Sequence, residues 1–376
     1  MIAAVCAKEK NIAVLEASPR IGKKLLATGN GKCNLLNKTL SADFYNNADF
    51  AATIFKKYGF AELREFYEKS GLMLRFDEAG RGYPLSESSA SVLEIMRRAL
   101  DEKGVNIFTD TEVKSVSKND GVFVLETSNG IFRAEKILIA TGSDAGFGLD
   151  CTGLLKGLAD VKPFACSLVP LCTPTGSIKG LNGVRVKCSA ALVIEGEKIA
   201  EENGEVLFKT FGLSGIAVFN LSAAYARAGC PENAYVTLNF LERDFSGVRA
   251  AFQERLKGKE ISAKNFLTGI LHKMLISAVL NYAGVSEDKI LNIDDIDKLA
   301  KAVTDFKISV IKTADKSLAQ VSSGGVSTEM INKNTLESTR VKNLFFAGEA
   351  IDVDGLCGGY NLMWAAASAM TAAESL

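Results

Sequence analysis

Three separated stretches of the sequence share one pattern, in which a short apolar run ends at a glycine or an acid. The run at 12–15 ends on Glu16, "EKILIATGS" (135–143) runs into Ala-Thr-Gly, and "LFFAGEAIDVDGLCGGYN" (344–361) runs into Gly-Glu. Short apolar strands of this kind are typical of buried parallel sheets, whose carboxyl ends meet at one edge and bind cofactors there. The pattern therefore predicts an α/β fold in which distant segments build one ligand site.

The first stretch has the chemistry of a nucleotide site. A carboxylate at the tip of a strand, as at Glu16, can accept hydrogen bonds from both hydroxyls of a ribose. In the loop "ATGNGKCN" (27–34), Gly29 and Gly31 allow a ligand to approach the backbone closely. The nearby cations that could neutralise a pyrophosphate are Lys23, Lys24 and Lys32. The alternative interpretation is a solvated Glu16 followed by a flexible loop.

The glycine turn that usually accompanies such an acid is not found before Glu16. In dinucleotide-binding folds a G-x-G-x-x-G turn lies about twenty residues ahead of the acid, a position that falls before Met1. We therefore expect the turn upstream of Met1. Without its backbone N–H groups a pyrophosphate loses its main anchor.

The second and third stretches contain further turns of the cofactor-binding type. Their residues are Thr141, Gly142, Gly348, Glu349, Asp352, Asp354, Gly358 and Gly359. The last two glycines lead into a helix, whose first N–H groups suit an anionic or electron-rich ligand. Each turn alone could be purely structural, but three of them at strand ends favour one cofactor site.

Composition is that of a globular enzyme or binding protein. Of 376 residues, 47% are apolar and 23% charged, and basic and acidic residues both number 44. A balanced charge recruits neither nucleic acid nor an anionic membrane, and no apolar stretch reaches the roughly 18 residues of a membrane span. We expect a cytoplasmic protein with a small-molecule substrate and no nucleic-acid or membrane partner; the oligomeric state stays open.

The cysteine pattern predicts neither a metal site nor a disulfide framework. The eight cysteines form no C-x-x-C, and the only histidine, His272, lies far from them in the sequence. We expect buried, reduced thiols, with a redox-active Cys33 as the minor alternative. His272 lies in "GILHKMLISAVL", which we interpret as a helix without catalytic function.

The order of helix-like and strand-like segments along the chain predicts a discontinuous domain with two insertions. We assign 1–160 and 315–376 to a Rossmann-like domain, 161–245 to a β-rich inserted domain and 246–314 to a helical inserted unit. Apolar spacing predicts helices over 50–71 and 89–104, each closed by a glycine. The segment 105–143 alternates as a strand, a hairpin and a buried strand, with turns at "NDG" and "SNG".

Four segments resemble hallmark stretches of the BaiN/RdsA family of bacterial flavoproteins. They are "GKKLLATGNGKCNLLN" (22–37), "GEVLFKTFGLSGIAVFNLS" (204–222), "SSGGVSTEMINKNTLES" (322–338) and "LFFAGEAIDVDGLCGGYNLMWA" (344–365). The family is described as NAD(P)/FAD-dependent oxidoreductases of the two-dinucleotide-binding-domain type. The resemblance covers nearly the whole chain and implies a Rossmann-like FAD domain split between the chain ends, with an inserted β-barrel-like domain and a helical unit.

The resemblance also implies a role for individual residues. Glu16 would hold the adenosine ribose, and the backbone of Val113 would reach the adenine. The remaining residues that would approach FAD lie in the loop at Gly29, Gly31, Cys33 and Asn34 and in the turns at Gly348, Glu349, Gly359, Tyr360, Asn361 and Leu362. The sequence departs from the family in lacking the first strand with its glycine turn, and in lacking a "TGDGY"-like stretch within 143–159.

The expected function is FAD-dependent oxidation or reduction, with a hydride passing to or from a small organic substrate and with NAD(P)H as a possible electron donor. Because the isoalloxazine performs such chemistry itself, the sequence assigns no catalytic acid or base. Two alternatives stay open. One is a truncated remnant that binds FAD poorly or not at all, and the other, less favoured, is a dehydrogenase that uses NAD(P) alone.

Overall fold

The computed structural model describes residues 1–9, 11–143, 151–154 and 158–376. The chain divides into two compact units. The first unit joins residues 1–165 to residues 320–376, so it is built from both ends of the chain, and the second unit spans 166–319.

The helices of the described residues differ widely in length. They are α1 (Ile2–Cys6), α2 (Lys23–Ala27), α3 (Ala48–Phe55), α4 (Phe60–Lys69), α5 (Ser89–Lys103), α6 (Cys151–Leu154), α7 (Ile216–Arg227), α8 (Phe245–Leu256), α9 (Ala263–Leu267), α10 (Lys273–Ala283), α11 (Ile293–Thr304) and α12 (Tyr360–Ala373).

The strands are mostly short. They are β1 (Ala13–Leu15), β2 (Leu36–Asn37), β3 (Leu74–Phe76), β4 (Arg81–Pro84), β5 (Asn106–Phe108), β6 (Val113–Asn119), β7 (Val122–Thr127), β8 (Gly130–Ala134), β9 (Ile137–Ile139), β10 (Val161–Ser167), β11 (Leu171–Cys172), β12 (Arg185–Ile194), β13 (Glu197–Lys209), β14 (Gly212–Ser214), β15 (Ala234–Asn239), β16 (Phe306–Ser309), β17 (Lys312–Thr313), β18 (Val321–Val326) and β19 (Leu344–Phe346).

The parallel strands of the first unit pair two by two. β1 lies beside β5 and β9 beside β19, and among the described residues no hydrogen-bonded strand joins the two pairs. Ile12, next to β1, and Leu138 of β9 nevertheless pack against the same cluster of alanines from α1, α12 and the end of β19. Small side chains let these elements approach closely, which brings the two strand pairs to one core.

The first unit also contains two three-stranded antiparallel sheets. β2, β4 and β3 form a small sheet, and β6, β7 and β8 form the meander that the "NDG" and "SNG" turns predict. The largest buried side chain is Trp364 of α12, which meets the rings of Phe50 and Phe55 with centroids 6.2 Å apart. Helix α12 is therefore the central helix of the first unit.

The helix expected over 50–71 is two helices, α3 and α4. Gly59 between them has an extended backbone (φ −86°, ψ −161°), and its N–H donates to the Glu62 carboxylate (3.0 Å), which caps α4. The apolar spacing continues across the break, so periodicity alone does not show it. The helix expected over 89–104 is confirmed: α5 ends at Gly104, which is left-handed (φ 73°).

The second unit contains an antiparallel sheet in the order β16-β15-β12-β13-β14-β11-β17. Its first and last strands follow each other in the chain. Between them, the N–H of Val310 donates to Ala234 O of β15, and the N–H of Ile311 donates to Cys172 O of β11. Successive residues thus bind opposite ends of the sheet, which curls it into a barrel-like form.

Helices α7, α8, α10 and α11 pack with this sheet around one apolar core. The β-rich and helical segments of the sequence therefore share a core within the second unit. Helix α7 lies inside the stretch that the sequence indicates as β-rich. The sequence does not predict this helix, because its run of small and apolar residues has no strong helical periodicity.

Candidate cofactor site

Glu16 lies directly after β1, at the end of the first parallel pair. Its N–H donates to Phe108 O (2.9 Å), and its carbonyl accepts from the N–H of Thr111 (2.9 Å), so the backbone after β5 fixes its position. The carboxylate is partly exposed and accepts one hydrogen bond, from the N–H of Ser18 to Oε1 (2.8 Å). The other oxygen, Oε2, forms no hydrogen bond with a described residue and can accept one from a ligand.

Lys24 and Glu349, which are 325 positions apart, meet in an ion pair. Lys24 Nζ contacts Glu349 Oε2 and donates to the hydroxyl of Ser143 (3.2 Å). The Glu349 side chain is only 12% exposed, and its second oxygen, Oε1, is buried without a hydrogen-bond partner among the described residues. All three predicted stretches therefore converge here, from α2, from the turn after β9 and from the end of β19.

The loop between α2 and β2 has an unusual backbone. Gly29 (φ 56°), Asn30 (φ 53°) and Gly31 (φ 83°) are all left-handed. A Cβ at Gly29 would lie 2.9 Å from the backbone nitrogen of Asn34, whereas a Cβ at Gly31 would meet no atom within 4 Å. Gly29 therefore closes the loop on itself, and Gly31 leaves its backbone open to an approaching ligand.

Asn34 supplies a second buried acceptor. Its Oδ1 is buried and has no hydrogen-bond partner in the described part of the chain. A Cβ at Gly359, the N-cap of α12, would lie 2.7 Å from this oxygen and 2.7 Å from Leu36 O. Gly359 is left-handed (φ 102°), so glycine is required for packing at this position, whether or not a ligand is bound.

The other residues of the third stretch shape the C-terminal loop. The Asn361 amide accepts from Gly355 N–H (2.8 Å) and donates to Gly355 O (2.9 Å) and Leu356 O (3.3 Å). Asp354 accepts from the Ser323 hydroxyl (3.0 Å), and the carbonyl of Tyr360 accepts from the hydroxyl of Tyr45 (2.8 Å). These side-chain and backbone contacts hold the loop in place.

Gly348 connects β19 to α12. Its N–H donates to the Ser368 hydroxyl (2.9 Å), and its carbonyl accepts from the indole N–H of Trp364 (3.0 Å). Its backbone is left-handed (φ 66°). Gly348 thereby fixes the direction in which Glu349 leaves the strand.

The remaining predicted residues lie around this centre. Val113 begins β6, two residues after Thr111, whose N–H binds the carbonyl of Glu16. Lys23 is exposed on the first turn of α2, Thr141 is exposed after β9, and Leu362 is partly buried on α12. Gly142 is left-handed (φ 76°), and a Cβ there would lie 3.8 Å from Glu349 Oε2.

Two residues in contact with the predicted set have no separate signal in our sequence analysis. Ser143 binds Lys24, and the Asn37 amide donates to Gly358 O (2.9 Å), which ties the first glycine loop to the last. Asn37 ends the segment "GKKLLATGNGKCNLLN". Its position just after the first glycine loop is the signal in the sequence that could have identified it as a site residue. The segment 143–159, where the sequence lacks the family's "TGDGY"-like stretch, lies largely outside the described ranges.

Cys33 is a core residue of this loop. It is fully buried, and burial raises the pKa of its thiol to about 11, against the smaller lowering by a hydrogen bond with Thr28. A protonated thiol is a poor nucleophile, which argues against a redox role. His272 is not inside a helix as expected but caps α10, since its Nδ1 accepts from Met274 N–H (3.3 Å).

The site residues fit a flavin nucleotide. Buried acceptors without partners carry a desolvation cost unless a ligand donates to them, and Asn34 Oδ1 and Glu349 Oε1 are two such atoms within the converging loops. FAD carries ribityl hydroxyls and ring N–H groups that can donate. Among the described residues, no cluster of three or more His, Cys, Asp or Glu side chains is arranged to hold a metal ion, and no described helix is long and apolar enough to cross a membrane.

Comparisons with known proteins identify the family of this chain. The sequence profile of the "HI0933-like protein Rossmann domain" matches residues 1–375. The 3-dehydro-bile acid delta(4,6)-reductase of Clostridium scindens is 33% identical over the whole chain and 96% of the relative. The ribosomal RNA dihydrouridine synthase of Escherichia coli is 26% identical over 98% of the chain and 92% of the relative.

Among solved structures, the 3-ketosteroid-delta4-(5alpha)-dehydrogenase of Rhodococcus jostii is 12% identical, with a TM-score of 0.48 over 99% of this chain and 94% of that one. This likeness is too distant to support an argument. The match to the family profile and the relative at 33% identity together show that the chain belongs to the HI0933-like family, the flavoprotein oxidoreductases of BaiN/RdsA type.

Proposed function

We propose that this protein binds FAD and uses it to reduce a carbon–carbon double bond conjugated to a carbonyl group in a small organic substrate, with NAD(P)H as the electron donor. The observation that carries the proposal is the pairing of Glu349 with Lys24 from distant segments, together with two buried acceptors, Glu349 Oε1 and Asn34 Oδ1, that lack partners among the described residues. Membership of a flavoprotein oxidoreductase family supports the choice of cofactor.

The chain's own residues would bind and orient the cofactor. Glu16 Oε2 would accept from the adenosine ribose, and the open backbone at Gly31 would lie along the cofactor. Glu349 Oε1 and Asn34 Oδ1 would accept from its ribityl and ring donors. Lys24 would hold the Glu349 carboxylate in place and offset negative charge. When bound, the flavin supplies reversible two-electron chemistry.

The substrate class is supported by what two relatives are named for. A 3-dehydro-bile acid with delta(4,6) double bonds carries those bonds in conjugation with its 3-oxo group, and uridine becomes dihydrouridine when the double bond conjugated to its C4 carbonyl is reduced. Both names therefore describe the same functional group. We propose a small unsaturated ketone as the substrate, because the more similar relative is named for one. In addition, the chain has equal numbers of basic and acidic residues, so it has no net positive charge to attract RNA.

A second candidate is the reduction of uridine within RNA, favoured by the 26% identity to ribosomal RNA dihydrouridine synthase. The two candidates differ in which substrate the purified full chain reduces.

The test combines the chain with FAD and follows oxidation of NADH and of NADPH with a 3-oxo-Δ4 steroid or a uridine-containing RNA as acceptor. Consumption of the steroid, with a saturated ketone as product, supports the proposal. Formation of dihydrouridine without reduction of the steroid double bond supports the second candidate. A folded chain that takes up no FAD and reduces neither substrate refutes both.

A further inference from the structure

The small sheet β2-β4-β3 has one buried face and one face turned towards the cofactor loops. Gly82 of β4 pairs with Leu36 and Phe76, and a Cβ at Gly82 would lie 2.7 Å from the Phe76 ring, so this face is packed. Side chains alternate along a strand. Arg81 and Tyr83, on either side of Gly82, therefore share the opposite face.

The C-terminal glycine loop lies over that opposite face. Asn37 pairs directly with Arg81 across the sheet and so projects to the same side. Its amide donates to Gly358 O (2.9 Å), which places the loop before α12 beside Arg81 and Tyr83. The N–H of Leu35, which follows Asn34, donates to Gly82 O (2.8 Å), so the first glycine loop also adjoins β4.

Arg81 is held from one side only. Its Nε donates to Asp77 Oδ2 (2.7 Å), while Asp77 Oδ1 accepts from the backbone N–H groups of Arg81 (2.9 Å) and Ala79 (3.0 Å). Asp77 thus fixes both the turn between β3 and β4 and the direction of the guanidinium. The terminal nitrogens of Arg81 form no hydrogen bond with a described residue, so they can donate to a ligand.

Tyr83 presents a hydroxyl that no described residue binds, although its side chain is partly buried. Burial raises the pKa of this phenol, and Asp77 and Cys357 add to the increase, while Arg81 and Lys32 oppose it. The group therefore keeps its proton near neutral pH. Lys32 and Cys357, one from each glycine loop, thus lie near enough to Tyr83 to affect its pKa.

We propose that Tyr83 and Arg81 form the carbonyl-binding part of the substrate site, where they bind the oxygen of an unsaturated ketone. This inference rests on the proposed function and names two residues for it. The Tyr83 hydroxyl donates to the carbonyl oxygen, and the Arg81 guanidinium stabilises the negative charge that develops there. Donors aimed at a developing oxyanion are among the strongest contributors to catalysis.

The proposed reaction adds a hydride and a proton to the substrate. The carbon β to the carbonyl gains a hydride from the reduced cofactor, the C=C π bond breaks, and its electrons move onto the carbonyl oxygen. Tyr83 transfers its proton to that oxygen and regains one from solvent. The resulting enol becomes the saturated ketone in water. NAD(P)H is the reductant that the overall reaction consumes.

The test measures how strongly the site polarises a bound carbonyl, independently of turnover. The absorption band of a 3-oxo-Δ4 steroid shifts to longer wavelength when its oxygen accepts strong hydrogen bonds. We expect this shift on binding to the FAD-loaded wild-type protein. Tyr83→Phe should remove most of the shift and lower kcat by about a hundredfold or more, as for loss of a general acid. Arg81→Met should weaken steroid binding by about tenfold or more.

Tyr235→Phe is the matched control, because Tyr235 is also partly buried with a hydroxyl that no described residue binds, but it lies on β15 of the second unit. The absorption shift of the bound steroid and the kcat of Tyr235→Phe should equal those of the wild type. Flavin content and melting temperature confirm that each variant folds. A Tyr83→Phe protein with the wild-type shift and kcat overturns the inference. If the wild type binds the steroid with a Tyr83-dependent shift but does not reduce its conjugated double bond, the inference stands and the proposed reaction fails.

Discussion

Replacing Asn34 with alanine should separate protein stability from cofactor binding. Asn34 Oδ1 is buried and has no partner among the described residues, and an unsatisfied buried acceptor costs about 1–3 kcal/mol. The alanine variant lacks this acceptor and therefore avoids its desolvation cost. It also loses the packing of a short side chain, which lowers the stability by about 1 kcal/mol. The free energy of unfolding without FAD should therefore stay level or rise by up to about 2 kcal/mol. FAD affinity should fall by about three- to tenfold, the value of one hydrogen bond.

The assay measures both quantities on the same protein, by urea unfolding without FAD and by quenching of flavin fluorescence on titration. Asn361→Ala is the matched control, because the Asn361 amide forms three hydrogen bonds within its own loop. At about 1 kcal/mol each, that variant should lose about 2–3 kcal/mol of stability. If Asn34→Ala is destabilised as much as Asn361→Ala and binds FAD normally, the buried acceptor is structural and the reasoning is wrong.

Two further predictions concern charge and protonation. Lys24→Met leaves the nearly buried Glu349 carboxylate without its cation; because Lys24 is 34% exposed, we expect a loss of about 1–2 kcal/mol rather than the larger cost of a fully buried pair. The same change at Lys264, in an exposed ion pair, should cost clearly less, because solvent screens exposed charges; equal losses would contradict this expectation. Since the pKa of Cys33 is raised to about 11, native protein at pH 8 should protect this thiol from iodoacetamide, and the unfolded chain should not. The native state keeps a proton that the unfolded state releases, so stability should fall between about pH 9 and pH 11, and the fall should be smaller in Cys33→Ala.

Local signals in the sequence predicted the places where chain segments end, and these positions define much of the site. Glu16 follows β1, Gly104 closes α5, and Gly359 caps α12 as expected. Each of these depends on a few neighbouring residues and on the conformations that glycine alone adopts readily. The same local rules gave both turns of the β6-β7-β8 meander.

Features that depend on residues far apart in the sequence were not predictable in this way. No pattern around Lys24 indicates that it binds Ser143 and Glu349, and the exposed face that Arg81 and Tyr83 share depends on the register of β4 against its neighbours. At Asn361 the family resemblance implied a ligand contact, whereas its side-chain amide is occupied by the loop itself. Satisfying backbone groups took precedence at that position.

The central claim is that these converging loops bind FAD, and equilibrium titration of the full chain with FAD tests it most directly. The account predicts saturable quenching of flavin fluorescence with one FAD bound per chain. It also predicts an affinity about tenfold or more weaker in Glu16→Gln, which keeps the shape but removes the charged acceptor. A folded protein that shows no saturable binding, or that binds FAD equally well without the Glu16 charge and the Asn34 acceptor, would contradict it.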